Sequence, residues 1–499
     1  MRNFSKSKLL ALRQCPKRLW LEVHRPDLRE DSDATQASFQ IGHQVGDIAH
    51  QIYDPDNLGA LIDVQSEGFP RAFERTTELL GTLQPIFEAG FCAGGALAFA
   101  DVMLPNQVDG KQVWRMVEVK SSTSVKDYHR DDVAVQAFVA RSAGVALQSI
   151  ALAHIDNSWT YPGHGDYRGL LKEVDLTEEA FARTEEVKSW IAQAKHTVAS
   201  PTEPLIEPSA QCDAPFDCGF YDYCSRDEVK PEFPLHWLPR FGAARGQALA
   251  ELGVDDLSHV PDDELNAKQQ RVKEHTLANT VYFDAEGAAA DLAGHGFPAY
   301  FLDFETIQFA VPIWPGTRPY RQNTFQFSLH ILGESGQLDH TEFLDISGGD
   351  PCAPFAHHLL AVCGTSGPVY VYNAGFETAR IRELAQRHPH LSEALLAINE
   401  RVVDLLPIAR ERYYHPSQQG SWSIKKVLPA MVPELRYDAL DGVQDGGMAM
   451  EAFLEAIHPD TASERKNQIE QQLLAYCKLD TYAMVRLWQV FAGRTDLKL

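Results

Sequence analysis

Near Ile86 the spacing of apolar residues changes from helical to alternating, and this change commits the chain to a mixed α/β architecture. Upstream, Ile41, Val45, Ile48, Ala49 and Tyr53 recur at helical spacing within a helix expected over 37–53, and residues 3–24 and 69–83 read as helices too. Downstream, 86–91, 96–104 and 113–119 are short apolar or alternating runs broken by Gly, Pro and Asn, which is strand behaviour. A helix over 130–143 and a strand over 147–154 follow, so a compact sheet flanked by helices is expected. The stretch from Pro201 to Pro234 holds Pro204, Pro208, Pro215 and Pro231 with three cysteines, too many breakers for regular structure. Residues 235–297 read as polar and helical, a connector without a catalytic role. A second α/β unit starts near Ala299, with strands near 300–302, 324–332, 341–345 and 368–372 and helices near 376–387, 403–413 and 464–491. At 499 residues and 44% hydrophobic the chain exceeds one core. The expected division is 1–230, a connector 231–298, and 299–499.

Lys and Arg number 45 against 69 Asp and Glu, a formal charge of -24, so the averaged surface repels a polyanion. A nucleic-acid partner therefore requires local cationic groups and metal ions. The local groups are Arg13 with Lys17 and Arg18, Arg380 with Arg382, Arg410 with Arg412, and Lys425 with Lys426, although runs of this kind commonly form solvated faces. Lys6, Lys8, Arg13, Lys17 and Arg18 interrupt the first 21 residues, and no apolar run reaches membrane-spanning length. The chain is expected to be cytoplasmic and to have no membrane partner. In that compartment eight cysteines point to metal ligation or free thiols instead of disulfides.

Glu118 and Lys120, in Val117-Glu118-Val119-Lys120, lie two apart on an expected strand, so they share one face while Val117 and Val119 take the other. Asp101 closes the preceding apolar run, and Gln136 sits in the helix that follows. Two carboxylates and an ammonium converging in this way suit Mg²⁺ or Mn²⁺ held by Asp101 and Glu118, with Lys120 stabilising developing charge. The arrangement resembles the PD-(D/E)XK nucleases, in the RecB-like branch that includes the CRISPR-associated iron-sulfur exonucleases, over about residues 5–226. The resemblance implies a restriction-endonuclease-like fold, with Asp101, Glu118 and Lys120 as the catalytic set and Gln136 as its helix glutamine. Two positions depart from it: Ala140 stands where an aromatic residue is usual, with Phe138 nearby, and Gly46 follows Gly42-His43-Gln44-Val45 where a histidine is usual. His43 or His50 is the substitute candidate, and Glu88 a further acidic ligand candidate.

Cys15 is followed far downstream by Cys212, Cys218 and Cys224. Four thiolates complete either a zinc site or an iron-sulfur cluster. The residues alone put zinc first and leave the cluster open; the one-early, three-late layout of the resembled branch implies a 4Fe-4S cluster. Closing a loop of nearly 200 residues costs on the order of 5 kcal/mol of chain entropy, which structural metal binding of about 10 kcal/mol or more exceeds. A staple joining both ends of the domain is the expected role. Cys92, Cys352, Cys363 and Cys477 are read as unligated thiols.

In the second unit Asp303 and Glu305 share one strand face, Tyr476 and Asp480 lie one helical turn apart, and Glu377 opens a helix after the 368–372 strand. Four gathered carboxylates raise one another's pKa unless cations neutralise them. Two divalent ions about 4 Å apart do so, and also stabilise both oxygens of a phosphodiester displacement. With Asn373-Ala374-Gly375-Phe376-Glu377 and Tyr476-x-x-x-Asp480 in this order, the region resembles the DEDD exonucleases of the RNase H-like superfamily, tyrosine subtype, over about 299–493. The resemblance implies metal ligation by Asp303, Glu305, Glu377 and Asp480 and a water-orienting role for Tyr476, with Glu377 standing where that family has Asp. Asp404 is a reserve ligand, more readily structural, and Ser423 to Lys426 are candidates to contact a strand backbone. The combined order is similar to a group of uncharacterised bacterial proteins in which the two domains are fused. The expectation is a nuclease with two metal centres, acting on single-stranded DNA ends in repair, end processing or defence. The alternatives are an RNA-processing 3'-to-5' exonuclease and a nucleic-acid-binding scaffold with an inactive site.

Overall fold

The structure, a computed structural model, describes residues 3–498. It is mixed α/β and divides into two compact units, Met1–Glu228 with Phe309–Arg321, and Val229–Gln308 with Gln322–Leu499. Among the described residues no helix is long and apolar enough to cross a membrane.

The first unit begins with β1 (Phe4–Ser5), α1 (Lys6–Gln14), α2 (Pro16–His24) and α3 (Asp33–Tyr53). The helix expected over 3–24 is two helices, because Pro16 forces the preceding Cys15 out of the helical region to φ -160° and ψ 121°. Seven strands form the sheet, more than the small sheet expected. They are β1, β2 (Ala60–Leu61), β3 (Ile86–Ala93), β4 (Ala96–Val108), β5 (Lys111–Lys120), β6 (Leu147–Ile155) and β7 (Leu171–Asp175). β3, β4 and β5 form an antiparallel meander; α4 (Asp127–Ser142) then crosses over so that β6 lies parallel to β5. Asp101 lies inside β4, not at its end, since β4 continues to Val108.

Both faces of this sheet are covered, and the alternation on β5 decides which face carries chemistry. Trp114 and Met116 pack with Leu9 and Leu19 from the first two helices and Val133 and Ala134 from α4. Val117 and Val119 pack on the opposite face with Val45, Ala49, Ala310 and Val311. Glu118 and Lys120 therefore turn toward α1 and α4. The Phe309–Arg321 segment joins this unit by more than apolar contact: Tyr161 N donates to Thr317 O (2.9 Å), Gly316 N donates to Tyr161 O (2.8 Å), and the Tyr320 hydroxyl donates to Ser121 O.

The second unit is built on a five-stranded sheet of order β11-β10-β9-β12-β13, preceded by β8 (Tyr282–Phe283). Its strands are β9 (Ala299–Ile307), β10 (Asn323–Leu332), β11 (Leu338–Leu344), β12 (Val369–Val371) and β13 (Val402–Asp404), and only β10 runs against the rest. α5 (Gly375–Arg387), α6 (Leu405–Arg412), β14 (Tyr413–Tyr414), α7 (Ile424–Met431) and α8 (Ser463–Phe491) complete the elements that position its chemistry. Tyr300, Leu302 and Phe304 point into a core with Phe327, Phe355 and Ile381, which leaves Asp303 and Glu305 on the face covered by α8. The 231–298 stretch is not a separate connector. It belongs to this unit, where β8 pairs with β14 and the Arg412 guanidinium bridges Asp284 (2.7 Å) and Asp291 (2.9 Å).

A buried polar network fastens α8 to β10 beside Asp303, the residue that Ser328 opposes across the ladder. Thr481 Oγ1 lies 2.7 Å from Ser328 Oγ and 2.8 Å from His330 Nδ1, and Ser328 Oγ lies 2.9 Å from His340 Nε2. Burial pushes His330 down to about 3, with His340 and Lys478 adding like charge. The unfolded imidazole binds its proton near pH 6.5 and the folded one only near 3, so stability falls as pH drops through that interval. Between pH 6.5 and 4.5 the expected loss from His330 is roughly 2–3 kcal/mol. The check is the thermal midpoint against pH for the wild type and for His330→Asn, whose curve should be flatter over that interval.

Two candidate metal centres and a cysteine pocket

In the first centre Glu118 is fully buried and receives three donors. Lys6 Nζ from α1 lies 2.8 Å from its Oε1, Lys120 Nζ lies 2.5 Å from the same atom, and the Gln136 amide donates to Oε2. Asp132, one turn before Gln136 on α4, bridges the same two lysines at 3.1 Å and 2.7 Å. Asp101 Oδ2 accepts from Val119 N at 2.6 Å, which fixes its carboxylate against β5. Burial and the neighbouring Glu118 push Asp101 well above the usual carboxylate range. Burial opposes ionisation of Glu118 as well, yet Lys120 and Lys6 outweigh it and hold this group below its usual range.

Asp101, Glu118, Lys120 and Gln136 thus come together as the spacing anticipates. Lys6 and Asp132 were missed. Asp132 was legible as the residue four before Gln136 on one helix face, whereas nothing in the sequence around Lys6 announces a partner more than a hundred positions away. Glu88 stands beside the site because it faces Asp101 across the ladder: Phe87 pairs with Val102 and Ala89 with Ala100, with Glu88 and Asp101 between them and Glu88 at φ 56°. Glu118 and burial raise its pKa, and His43 acts on it in the opposite sense. His50 is instead a packing group, its ring 4.3 Å from that of Phe87.

The four cysteines meet in one small pocket. Cys15, at the α1–α2 junction, faces Cys212, Cys218 and Cys224, with Lys17 and Arg18 in the same wall. Burial raises the Cys218 and Cys224 thiols, while Arg18 and Lys17 pull in the opposite direction. Of the cysteines read as unligated, Cys92 accepts a hydrogen bond from Asn3 Nδ2 (2.9 Å) and Cys352 and Cys363 are buried. Cys477 is also buried, and α8 places its Sγ 3.9 Å from Asp303 Oδ2.

The second centre is a pocket of about 230 Å³ lined by Asp303, Glu305, Glu377, Tyr476 and Asp480, with Lys425 at its side. Ligand atoms of Asp303, Glu305 and Cys477 lie within 4.8 Å of one another. Burial, then Asp480, Glu305 and Glu377, push Asp303 well above its usual range. Burial raises Glu305 and Glu377 to about 8 and Asp480 to about 6. Glu377 Oε2 is buried without a hydrogen-bond partner. Tyr437 was missed by sequence reasoning: its hydroxyl donates to Asp480 Oδ1 (2.5 Å), and its ring lies 6.3 Å from that of Tyr476. Lys425 Nζ sits 5.4 Å and 5.3 Å from these two ring centroids and draws the pKa values of Glu305 and Asp480 down.

Asp404 is a cap and not a ligand. Its carboxylate accepts from Asn373 N (2.9 Å), Ala374 N (3.0 Å) and Leu406 N (2.9 Å), holding Asn373 at φ 79° in the turn that delivers Glu377. Most of the local cationic groups are already paired: Arg13 with Asp131, Lys17 with Glu203, Arg18 with Glu22, Arg380 with Glu383, and Arg412 with Asp284 and Asp291.

Residues 300–423 match a protein family described as a domain of unknown function (DUF2779). The matched stretch carries Asp303, Glu305 and Glu377 and ends before Tyr476 and Asp480. No curated protein matches the chain.

Proposed function

We propose that the chain is a metal-dependent nuclease with two hydrolytic centres, the first unit being PD-(D/E)XK-like and the second a DEDD-type, RNase H-like exonuclease unit. The observation that carries this reading is the second pocket. Four carboxylates share it, burial raises the pKa of all four and acidic neighbours in the pocket raise Asp303 and Glu305 further, and Glu377 Oε2 has no partner. Such a cluster is costly in a folded chain unless cations complete it. Oxygen donors of this kind suit Mg²⁺ or Mn²⁺, and the adjacent Cys477 thiol shifts the preference toward Mn²⁺. Asp303, Glu305, Glu377 and Asp480 would hold the ions, which when bound polarise the phosphodiester and stabilise charge on the attacking and leaving oxygens. Tyr476 holds the water in line, Tyr437 fixes the Asp480 carboxylate, and Lys425 offers positive charge to the phosphate.

In the first centre Asp101 and Glu118 would be the ligands, with Lys120 placed to stabilise charge on the phosphate. Lys6 already holds the Glu118 oxygen that a cation would need, so it competes with the ion. The four thiols that line one pocket would hold a 4Fe-4S cluster, with zinc as the alternative occupant.

The test is cleavage of end-labelled single-stranded DNA and RNA in Mg²⁺ or Mn²⁺. Lys120→Ala and Asp303→Asn should each remove one of two activities, and the double variant should lose both by about 10³-fold or more. Lys6→Met should lower the Mg²⁺ requirement of the first centre by roughly ten-fold through loss of one competing charge. Full activity in the double variant refutes the reading, and competition between the two polymers decides which is the substrate.

A further inference from the structure

A cavity of about 840 Å³ in the second unit is not one of the two centres. It opens between the Leu238–Lys268 region and the turn from Leu406 to Ile424. Tyr372, Asn373 and Ile424 line both this cleft and the second centre, so the two spaces adjoin. Sequence reading gave the 231–298 stretch no role in chemistry; the fold makes it one wall of this cleft.

The geometry points to a binding cleft for single-stranded nucleic acid, with Arg240 and Arg410 contacting the phosphates of the strand whose end lies in the second centre. The direction of the strand rests on the hydrolytic reading of that centre, whereas the binding itself does not. Three observations carry the inference. The side chains of Arg240 and Arg410 make no hydrogen bond or ion pair within the described residues, although Asp and Glu exceed Lys and Arg by 69 to 45 and the cations in the other basic groups are largely paired. A third cation, Lys268, is ion-paired with Glu411 on the opposite wall, so the two unpaired guanidiniums set the sign of the cleft. The floor is rigid: the Tyr372 hydroxyl donates to Trp422 O (2.7 Å), the Trp422 indole N–H donates to Tyr413 O (2.7 Å), and Leu238 is buried. A cationic, firm-walled channel leading into carboxylates suits a backbone of repeated phosphates, whose negative charge the arginines neutralise and whose terminal linkage meets the centre.

The test reads binding on the Lys120→Ala, Asp303→Asn double variant with Mg²⁺ present, so that neither centre cleaves the probe, by fluorescence anisotropy of labelled 12-nucleotide DNA and RNA. Arg240→Glu with Arg410→Glu should weaken binding at least ten-fold. The slope of log Kd against log salt should fall by about 1.4, the value for two lost contacts to a single strand. Lys466→Glu, on α8 and outside the cleft lining, should change affinity less than two-fold. Unchanged affinity and slope in the double arginine variant would overturn the proposal. So would an equal loss in Lys466→Glu, or competition by poly-glutamate as effective as that of unlabelled oligonucleotide, which would make the occupant an acidic peptide. Absence of cleavage by the wild type, with binding still sensitive to the two arginines, would defeat the hydrolytic reading and leave the cleft standing.

Discussion

Asp303→Asn should stabilise the second unit in EDTA and abolish its stabilisation by Mg²⁺. In the unfolded chain this carboxyl ionises near its ordinary value, while in the fold burial and three acidic neighbours hold its pKa well above that value. The folded state therefore binds more protons than the unfolded state above about pH 4, and stability falls as pH rises toward the folded values. Glu305 and Glu377 extend that interval to about 8 and Asp480 to about 6. Glu305 alone represents on the order of 5 kcal/mol across it. A neutral amide of the same shape takes up no proton on folding and so escapes that cost. In the wild type a bound cation acts the other way: at a hundred times its dissociation constant it stabilises by about 2.7 kcal/mol, or roughly 5–10 °C for a unit of this size. Thermal midpoints at pH 5 to 8, with EDTA and with Mg²⁺, check both halves. A wild-type Mg²⁺ shift in the Asn variant would sink the assignment of the ligand.

The second large effect concerns the first unit. Cys218→Ser should cost on the order of 3–5 kcal/mol of its stability and remove absorbance near 400 nm from anaerobically purified protein, because the pocket closes a very long loop. Cleavage that depends on Asp303 should persist, since that centre belongs to the other unit. Chemical denaturation read beside residual cleavage separates the two. Wild-type stability together with unchanged absorbance in the serine variant would rule out the cluster.

Strict periodicity made part of each centre readable. Alternation put Glu118 with Lys120 and Asp303 with Glu305, and helical spacing put Tyr476 with Asp480. Those relations are local, so burial of one strand face or one helix face enforces them. Lys6 and Tyr437 depend on how distant elements stack, and no local pattern encodes that. The nearness of Cys477 to Asp303 is of the same kind: a cysteine in an apolar helical run reads as core, which it is, and only the seating of α8 on β9 brings it to Asp303. The connector was undervalued because its polar composition carries no motif, although its walls are specified by capping and pairing with the 405–414 region.

Membership of Phe309–Arg321 in the first unit alters how such a chain can be made and dissected. The ribosome finishes 231–298 and β9 before it supplies Ala310 and Val311 to the apolar face formed by Val45, Val117 and Val119. The N-terminal half must wait, incomplete, for a patch synthesised in the middle of its neighbour. Any fragment ending at Glu228 will leave that face uncovered, so truncation will report on a wound and not on an independent domain.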